Sequence, residues 1–351
     1  MIRLSIVMPT NRDHLTAISR IAQACSWAGP ETEVIIRDNS GSASKLRLVK
    51  EFERDNCRII AADPCGVHEN WLGGFDQAKG DFVLFVCDDD SCLDRSIAAL
   101  PEKIEEVLGD STVAGITGVT VVDNVRGTSL AGYEKIDADD GMTRLMGYLG
   151  SNHPPVLLYS AVRRDVMQWG MDIVRSKPFK LSFDDQIGAL LYLLRGKFVP
   201  LRRILYCYNQ QNWEAFDGAQ REDLKYYLGA ALDPALNKLH WLLCAFEGAA
   251  LIRNVVSDSD HPLPARQKMA DLWFATMFQR FRAHPREDLG SALAPEAEKL
   301  CVKWKGAAGQ LTFENILADI CQFVALFSQE EAMKYFAYWG NILGLQQAPA
   351  A

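Results

Sequence analysis

The sequence lacks an excess of positive charge. Its 351 residues include 37 Lys and Arg against 45 Asp and Glu, which gives a formal net charge of -8 at pH 7. Proteins that bind nucleic acid along the phosphate backbone normally carry a basic excess that displaces counterions. The composition therefore argues against a nucleic-acid partner, and it predicts that any phosphate ligand binds together with a metal ion.

The sequence also lacks a long hydrophobic run at its start and any paired cysteine motif. The first apolar stretch meets Pro9 after a few residues, which is too short for a signal peptide or a membrane span. The nine cysteines form no CxxC pair, so we expect reduced, mostly buried thiols and not zinc ligands. These absences predict a cytoplasmic protein without a transmembrane segment, and peripheral attachment to the inner membrane stays open.

What the sequence does contain is a change of pattern near residue 215. Up to that point, short β-branched runs alternate with amphipathic stretches, which is typical of helices on both faces of a largely parallel sheet. Beyond it only helical periods occur, with a capping box at Ser328 and Glu331. The sequence thus predicts an α/β domain over residues 1–215 and an all-helical domain over residues 216–351. Homo-oligomerisation and docking of the acceptor are the two roles that we expect for the helical domain.

The same patterns predict where the individual elements lie. The expected strands cover residues 4–8, 34–37, 57–61, 82–86, 113–122, 156–160 and 205–208. The expected helices of the first domain cover residues 15–27, 45–54, 68–79, 95–108 and 186–195. The segment 123–151 is rich in glycine and aspartate and shows no period, so we expect loops there.

Three consecutive aspartates, Asp88, Asp89 and Asp90, follow the predicted strand 82–86. Adjacent carboxylates repel one another unless a cation neutralises them. In open α/β sheets the ligand crevice lies at the carboxyl ends of the strands, and hard oxygen ligands there suit Mg²⁺ or Mn²⁺ bridging to substrate phosphates. Taken alone, this triplet fits a metal site and an acidic helix-capping turn equally well.

Two earlier strands also end in polar side chains. Pro9, Thr10 and Arg12 end the first strand, and Asp38 with Asn39 ends the second. These residues should face the same crevice as the triplet, where an acid can hydrogen-bond a base or a ribose. The strand ends are therefore candidate nucleotide ligands, and they favour a metal site at the triplet.

In order and spacing these motifs resemble the family 2 glycosyltransferases of the GT-A fold. Those are inverting enzymes that use nucleotide-activated sugars, and the resemblance implies a mixed, Rossmann-like sheet flanked by helices. The resemblance spans residues 4–90 of this sequence. The matching segments are residues 6–12, 38–40, 66–70, 73–81 and 85–90.

The resemblance implies donor-binding roles for Pro9, Thr10, Arg12, Asp38, Asn39 and Asn70. It places Asp38 on the base, and it equates the acidic triplet with the family's DXD motif, whose last Asp holds the metal on the donor diphosphate. The literal motif is Asp88 to Asp90, whereas alignment of the preceding strand puts the motif at Cys87 to Asp89. Either Asp89 or Asp90 should therefore bind Mn²⁺ or Mg²⁺, with Asp88 and Asp89 also near the donor.

The family also has an acidic pair at the start of a later helix, which supplies the base that deprotonates the acceptor. Asp184 and Asp185 fit this place, although Glu-Asp is the common pair. We expect Asp185 to be the base with Asp184 second, and helix capping is the alternative for both. His153, in a loop before a predicted strand, is a further metal-ligand candidate whose alternative is a structural role.

The sequence thus predicts a metal-assisted glycosyltransferase, and the resemblance implies an Asp base and inversion of the anomeric configuration. The resemblance implies a UDP-, GDP- or dTDP-linked donor and a hydroxyl acceptor on a saccharide, a lipid-linked sugar or a protein. One alternative is a sugar-phosphate nucleotidyltransferase, which would carry a glycine-rich basic loop where residues 9–12 stand. Another is a catalytically silent module that keeps nucleotide binding without transfer.

Overall fold

The computed structural model describes residues 1–13, 15–151, 154–211, 226–229, 232–257, 260–283, 294–306 and 312–345. The chain divides into two compact units. Unit 1 consists of Met1–Arg175 and Gly188–Glu222, and unit 2 consists of Ser176–Ile187 and Asp223–Ala351. Residues 176–187 lie within the first domain that the sequence predicts, and the structure groups them with the helices of unit 2.

Unit 1 is built on one mixed sheet with nine strands among the described residues. The strands are β1 (Leu4–Thr10), β2 (Thr32–Asp38), β3 (Cys57–Ala61), β4 (Phe82–Phe85), β5 (Ser91–Cys92), β6 (Val113–Asn124), β7 (Gly127–Ala131), β8 (Ala161–Arg163) and β9 (Lys197–Asn209). Their order is β3-β2-β1-β4-β8-β6-β9-β5, and β7 pairs with β6. The first four strands run parallel, whereas β8 is antiparallel to its neighbours β4 and β6. The predicted α/β class with a mixed sheet is confirmed.

Helices cover this sheet, so that every residue of β1 and β4 is buried. Such near-continuous apolar strands are typical of parallel sheets with both faces covered. The helices that begin in unit 1 are α1 (Leu15–Ser26), α2 (Ala43–Lys50), α3 (Val67–Phe75), α4 (Asp94–Ile97), α5 (Leu100–Val107), α6 (Gly141–Leu149) and α7 (Arg164–Ser176). The next helix, α8 (Asp184–Arg195), begins in unit 2 and continues into unit 1.

Three local predictions are wrong. The segment 123–151 is not a run of loops, because it contains β7 and α6. Most of β7 is exposed, so it carries little apolar alternation, and the hairpin turn relies on Gly127 at φ 127°. Asp140 caps α6 by accepting a 2.7 Å hydrogen bond from Thr143 N, a signal that a period search does not detect.

The other two errors involve proline. The predicted strand 156–160 is a 3-10 helix, Pro154–Tyr159, and the strand follows it as β8. Two prolines at the start of that segment fix φ near the helical value, which favours a helical turn over extended backbone. The single helix expected over residues 95–108 is two helices, because Pro101 fits only the first turn of α5.

Unit 2 is helical in its described part, as predicted for the C-terminal residues. Its helices are α9 (His240–Asn254), α10 (Leu263–Ala283), α11 (Ala294–Gly306), α12 (Phe313–Ala325) and α13 (Gln329–Ile342). Trp273, Trp304 and Trp339 are fully buried in it, and Ser328 Oγ caps α13 by accepting from Glu331 N at 3.2 Å. Among the helices that the structure describes, none combines the length and apolar character needed to cross a bilayer.

Candidate functional site

The aspartate triplet follows β4 directly, at the edge of the sheet where the parallel strands β1 and β2 also end. The strand register places Thr10 on β1 beside Asp38 on β2. Thr10 Oγ1 donates a 2.6 Å hydrogen bond to Asp88 Oδ2, and both side chains are buried. The structure therefore brings these three strand ends together.

A buried lysine that sequence reasoning missed joins two of these strand ends. Lys45 Nζ donates to Thr10 Oγ1 at 2.8 Å and to Asp38 Oδ1 at 3.1 Å, and its side chain is 1% exposed. Lys45 lies in the first turn of α2, whose N-cap is Ser42. The N-terminal end of a helix carries a partial positive charge, which disfavours a cation there. A lysine in this turn is therefore the one sequence signal of a carboxylate nearby.

Asp38 presents one carboxylate oxygen without a partner. Its Oδ1 accepts from Lys45 and, at 2.9 Å, from Ser40 N. Its buried Oδ2 has no hydrogen-bond partner among the described residues. A buried acceptor that lacks a donor costs roughly 1–3 kcal/mol, so this oxygen is suited to accept a hydrogen bond from a ligand.

Asn39 and Asn70 join the residue after β2 to helix α3. Asn70 Nδ2 donates to Asn39 Oδ1 at 2.9 Å, and Asn39 Nδ2 donates to Cys65 O at 2.8 Å. Arg37 Nη1 donates to Asn70 Oδ1 at 2.7 Å. Both amides are buried and bonded within the protein, so the structure gives them a role in shaping the strand ends, and their direct contact with a donor stays a prediction.

Arg12 neutralises two members of the triplet. Its guanidinium pairs with Asp88 and, through Nη2, with Asp89 Oδ2 at 2.9 Å. Burial lowers the pKa of Arg12, but the charges of Asp88 and Asp89 outweigh that effect and raise the pKa above its usual value. Of the two carboxylates, Asp89 is 21% exposed and Asp88 is 3% exposed. Asp89 is therefore the more accessible to a ligand.

Asp90 is tied to β9 by both of its oxygens. Tyr206 OH donates to Oδ2 and Asn209 N donates to Oδ1, each at 2.7 Å. The same Tyr206 oxygen accepts from Cys87 N at 3.1 Å. Burial, followed by the charge of Asp89, raises the pKa of Asp90 even though the two hydrogen bonds oppose that rise. Asp90 therefore anchors the acidic loop to the sheet.

The cysteine and two of the aspartates could together hold a cation. The ligand atoms of Cys87, Asp89 and Asp90 lie within 4.8 Å of one another. Desolvation raises the pKa of the Cys87 thiol, which disfavours a thiolate ligand. The carboxylate oxygens of Asp89 and Asp90 are the type of ligand that Mg²⁺ prefers in proteins. His153 lies outside the described residues.

The acidic pair Asp184 and Asp185 begins α8 and belongs to unit 2. Asp184 is buried, pairs with Lys177 and accepts from Leu181 N at 3.1 Å. Asp185 is partly exposed, and its Oδ1 accepts from Gln186 N at 2.5 Å. The two members of the pair thus have different surroundings, and Asp185 keeps the more accessible carboxylate.

Lys177 binds a second acid in unit 2, and sequence reasoning missed this cluster. Its Nζ lies 2.6 Å from Glu247 Oε2 on α9, and Tyr335 OH on α13 donates to Glu247 Oε1 at 3.0 Å. Burial raises the pKa of Glu247 to about 7, although the charge of Lys177 opposes the rise. No sequence motif indicates this cluster, because its members are far apart in the chain.

Comparison with known proteins bears on the strand-end site. Residues 5–156 match the sequence model described as "Glycosyl transferase family 2". The chain carries a family 2 glycosyltransferase domain. The resemblance noted in the sequence is thereby confirmed, and the matched region contains the ends of β1, β2 and β4, whereas Asp184 and Asp185 lie beyond it.

A curated protein similar to this family 2 domain is the GalNAc(5)-diNAcBac-PP-undecaprenol beta-1,3-glucosyltransferase of Campylobacter jejuni subsp. jejuni. It is 28% identical over 113 residues, which are 30% of this chain and 36% of that protein. The matched segment thus spans about a third of the relative's length.

Solved structures of S. aureus TarS share the fold of this chain. A crystal structure of TarS 1-349 gives a TM-score of 0.52 at 16% identity and covers 98% of this chain and 89% of that chain. The same TarS fragment in complex with UDP-GlcNAc gives 0.52 at 17% identity, with the same coverage. At such identities the likeness shows the fold, and it confirms the predicted GT-A-type architecture.

The buried position of Lys45 predicts a large loss of stability for Lys45→Met. The change leaves Asp38 as an unpaired buried charge, so the free energy of unfolding should fall by about 3–5 kcal/mol. Urea unfolding monitored by tryptophan fluorescence measures this loss. Arg47→Met, which removes an exposed cation from the same helix, should change the free energy by less than about 1 kcal/mol. Equal losses in both variants would contradict the pairing.

The raised pKa of Glu247 predicts a pH dependence of stability. Between its ordinary pKa of 4.5 and about 7 the folded state binds the extra proton, so this group's contribution to stability falls as the pH rises through that window. Glu247→Gln removes the contribution. The free energy of unfolding of the variant, taken relative to that of the unmodified protein, should therefore rise by at least about 1 kcal/mol between pH 5 and pH 8. Urea unfolding at both pH values tests this. Tyr335→Phe keeps the carboxyl and should keep the slope, whereas parallel curves for Glu247→Gln and the unmodified protein would refute the assignment.

Proposed function

We propose that this protein transfers a sugar from a nucleoside diphosphate sugar to a hydroxyl acceptor. The observation that carries the proposal is a chain of hydrogen bonds at the strand ends of the family 2 domain. The chain runs from Asp38 through Lys45 and Thr10 to Asp88, which Arg12 joins to Asp89. It offers an unpaired acceptor at Asp38 and an accessible carboxylate at Asp89. A nucleoside diphosphate carries the matching groups, which are a base N–H and a diphosphate that binds a divalent ion.

The partners of Asp38 favour particular bases. Lys45 pairs with Asp38 Oδ1, and the other carboxylate oxygen, Oδ2, is available to accept a hydrogen bond from a ligand. Uracil, thymine and guanine present a ring N–H on the Watson–Crick edge, whereas cytosine and adenine present a ring acceptor there and can donate only from an exocyclic amino group. The site thus favours UDP-, dTDP- or GDP-linked donors, and the UDP and UDP-GlcNAc complexes of the TarS fragment support uridine among them.

The acidic loop supplies the place for a divalent ion. Asp89 would hold Mn²⁺ or Mg²⁺ together with donor phosphate oxygens, and a bound ion offsets the charge that develops on the departing diphosphate. Asp90 would support the loop through Tyr206 and Asn209, as its two hydrogen bonds do in the protein. Arg12 lies beside Asp89 and offers a guanidinium that can bind phosphate oxygens.

For the transfer step we propose Asp185 as the general base. Asp184 is buried against Lys177, so Asp185 is the member of the pair that can reach a substrate proton. The acceptor oxygen forms a bond to the anomeric carbon while the bond from that carbon to the diphosphate oxygen breaks. The hydroxyl proton passes to the Asp185 carboxylate, and the electron pair of the broken bond leaves with the diphosphate. This single displacement inverts the configuration at the anomeric carbon.

We propose a saccharide hydroxyl, carried on a lipid, as the first acceptor to examine. The name of the Campylobacter jejuni relative describes a saccharide linked to undecaprenol through a diphosphate. Such an acceptor would bring the protein to a membrane surface without requiring a spanning helix. The matched segment covers only about a third of that relative, so the donor side of this proposal has the stronger support.

A nucleotide panel tests the donor site. UDP, dTDP and GDP with Mn²⁺ should raise the melting temperature of the protein more than CDP or ADP, because a ligand that binds only the folded state stabilises it. Asp89→Ala should weaken UDP binding at least 10-fold in the presence of Mn²⁺ and little in its absence, measured by titration calorimetry. Asp94→Ala removes a nearby exposed acid and should leave both affinities unchanged. Mn²⁺-dependent binding that persists in Asp89→Ala would place the ion elsewhere.

A second variant tests the base. Asp185→Asn should lower the rate of UDP release from UDP-sugars at least about 100-fold, since general bases contribute factors of that size. The dissociation constant for UDP should stay within twofold, because the donor contacts lie at the strand ends. Asp172→Asn, which changes an acid whose side chain is 55% exposed, serves as the control and should keep full activity. Full activity in Asp185→Asn would move the base to another residue.

A further inference from the structure

The buried cluster around Lys177 takes no part in the transfer step, yet it binds the residue next to the proposed base. Lys177 pairs with Asp184 and lies 2.6 Å from Glu247 Oε2, and the three side chains are 0–1% exposed. The same ammonium group lies 4.9 Å from the ring centroid of Phe183. One cation therefore contacts both residues that precede Asp185 in the chain.

Stability alone is a weak reason for such a cluster. Removing charges from water costs several kcal/mol for each ion, and apolar side chains of similar volume often stabilise a protein equally well. Here two buried carboxylates share one lysine, so the acids of the cluster outnumber its cation, and burial raises the pKa of Glu247 to about 7. What ion pairs and hydrogen bonds provide beyond apolar contact is direction, because they fix the orientation of the groups that they join.

The cluster fixes the turn that leads into α8. Asp184 N donates to Leu181 O at 3.0 Å, and the carboxylate of Asp184 accepts from Leu181 N at 3.1 Å, so the turn is closed from both sides. Lys177 holds that carboxylate, and Glu247 holds Lys177 from α9. Tyr335 on α13 in turn donates to Glu247 at 3.0 Å. A continuous set of contacts thus runs from two helices of unit 2 to the backbone beside Asp185.

We propose that Lys177 and Glu247 are positioning residues that set the direction of the Asp185 carboxylate through the first turn of α8. This inference rests on the proposed function, in which Asp185 is the base. It gives the C-terminal helices α9 and α13 a defined task, which is to hold the base-bearing segment. It also assigns different roles to the acidic pair, since Lys177 holds Asp184 in place whereas Asp185 accepts the proton.

The test replaces Glu247 and leaves the other charges balanced. In Glu247→Leu, Lys177 still pairs with Asp184, but the contact with α9 is lost. The kcat for UDP release from the best substrate among UDP-GlcNAc, UDP-glucose and UDP-GalNAc should fall about 10- to 100-fold, because small displacements of a catalytic group have effects of this size. The KM for the donor and the dissociation constant for UDP should stay within twofold. Glu247→Gln keeps the side-chain shape and an acceptor for Tyr335, and it should restore most of the kcat.

The matched control is Asp319→Leu. Asp319 is another buried acid of unit 2, and it pairs with Lys303 and accepts from Trp304 Nε1 at 3.0 Å. Its replacement should lower the melting temperature and leave kcat unchanged. Should Glu247→Leu fail to fold, Tyr335→Phe removes one hydrogen bond from the same set and should lower kcat several-fold at constant donor KM.

Three outcomes would overturn the positioning role. They are an unchanged kcat in folded Glu247→Leu or Tyr335→Phe, an equal loss of kcat and donor affinity in either variant, and a matching loss of kcat in Asp319→Leu. The proposed function has its own test in the same assay. Full activity of Asp185→Asn contradicts the assignment of the base and this inference together. An inactive Asp185→Asn beside a fully active Glu247→Leu contradicts the positioning role alone.

Discussion

Neutralisation of clustered carboxylates by the protein's own cations is the interaction on which the strand-end site depends. Asp38 and the acidic triplet meet at one edge of the sheet because β1, β2 and β4 are parallel neighbours. Without Lys45 and Arg12, their negative charges would repel one another in a poorly hydrated place. Lys45 binds at the buried side and Arg12 at the more exposed side. The two cations pair with Asp38, Asp88 and Asp89, and the buried Oδ2 of Asp38 is left without a hydrogen-bond partner among the described residues.

The two cations differ in a way that matters for ligand binding. Lys45 is buried and bonded to Thr10 and Asp38, so its position is fixed by the fold. Arg12 is 35% exposed and pairs with Asp89, the most accessible carboxylate of the triplet. A long, flexible side chain at the surface can exchange one anionic partner for another at low cost. The buried cation therefore maintains the site, whereas the exposed one can respond to what binds there.

Local patterns in the sequence predict the parts of the fold that depend on local interactions. The strands β1 to β4 and the acidic triplet were predictable because each strand is a short apolar run that polar residues follow directly. The whole signal therefore lies within a few positions of the chain. The strand β7 and the helix α6 were not, because an exposed hairpin and a side-chain-capped helix produce little hydrophobic period. Lys45 gave only an indirect signal, a cation in the first turn of a helix. The pairing of Lys177 with Glu247 gave none, since it joins distant segments through tertiary packing alone.

Donor binding and activation of the acceptor, the two parts of the proposed reaction, also differ in how far they depend on long-range contacts. The candidate donor ligands lie within residues 5–156, the part of the chain that matches the family, and hydrogen bonds between neighbouring strands hold them. The acidic pair lies beyond that part, and its surroundings come from helices that follow it in the chain. Sheet hydrogen bonds impose a register that few sequences can alter, whereas helix packing tolerates varied side chains of similar volume. Under the proposed function, donor recognition therefore depends on the register of the sheet, whereas activation of the acceptor depends on the packing of the helices around Asp184 and Asp185.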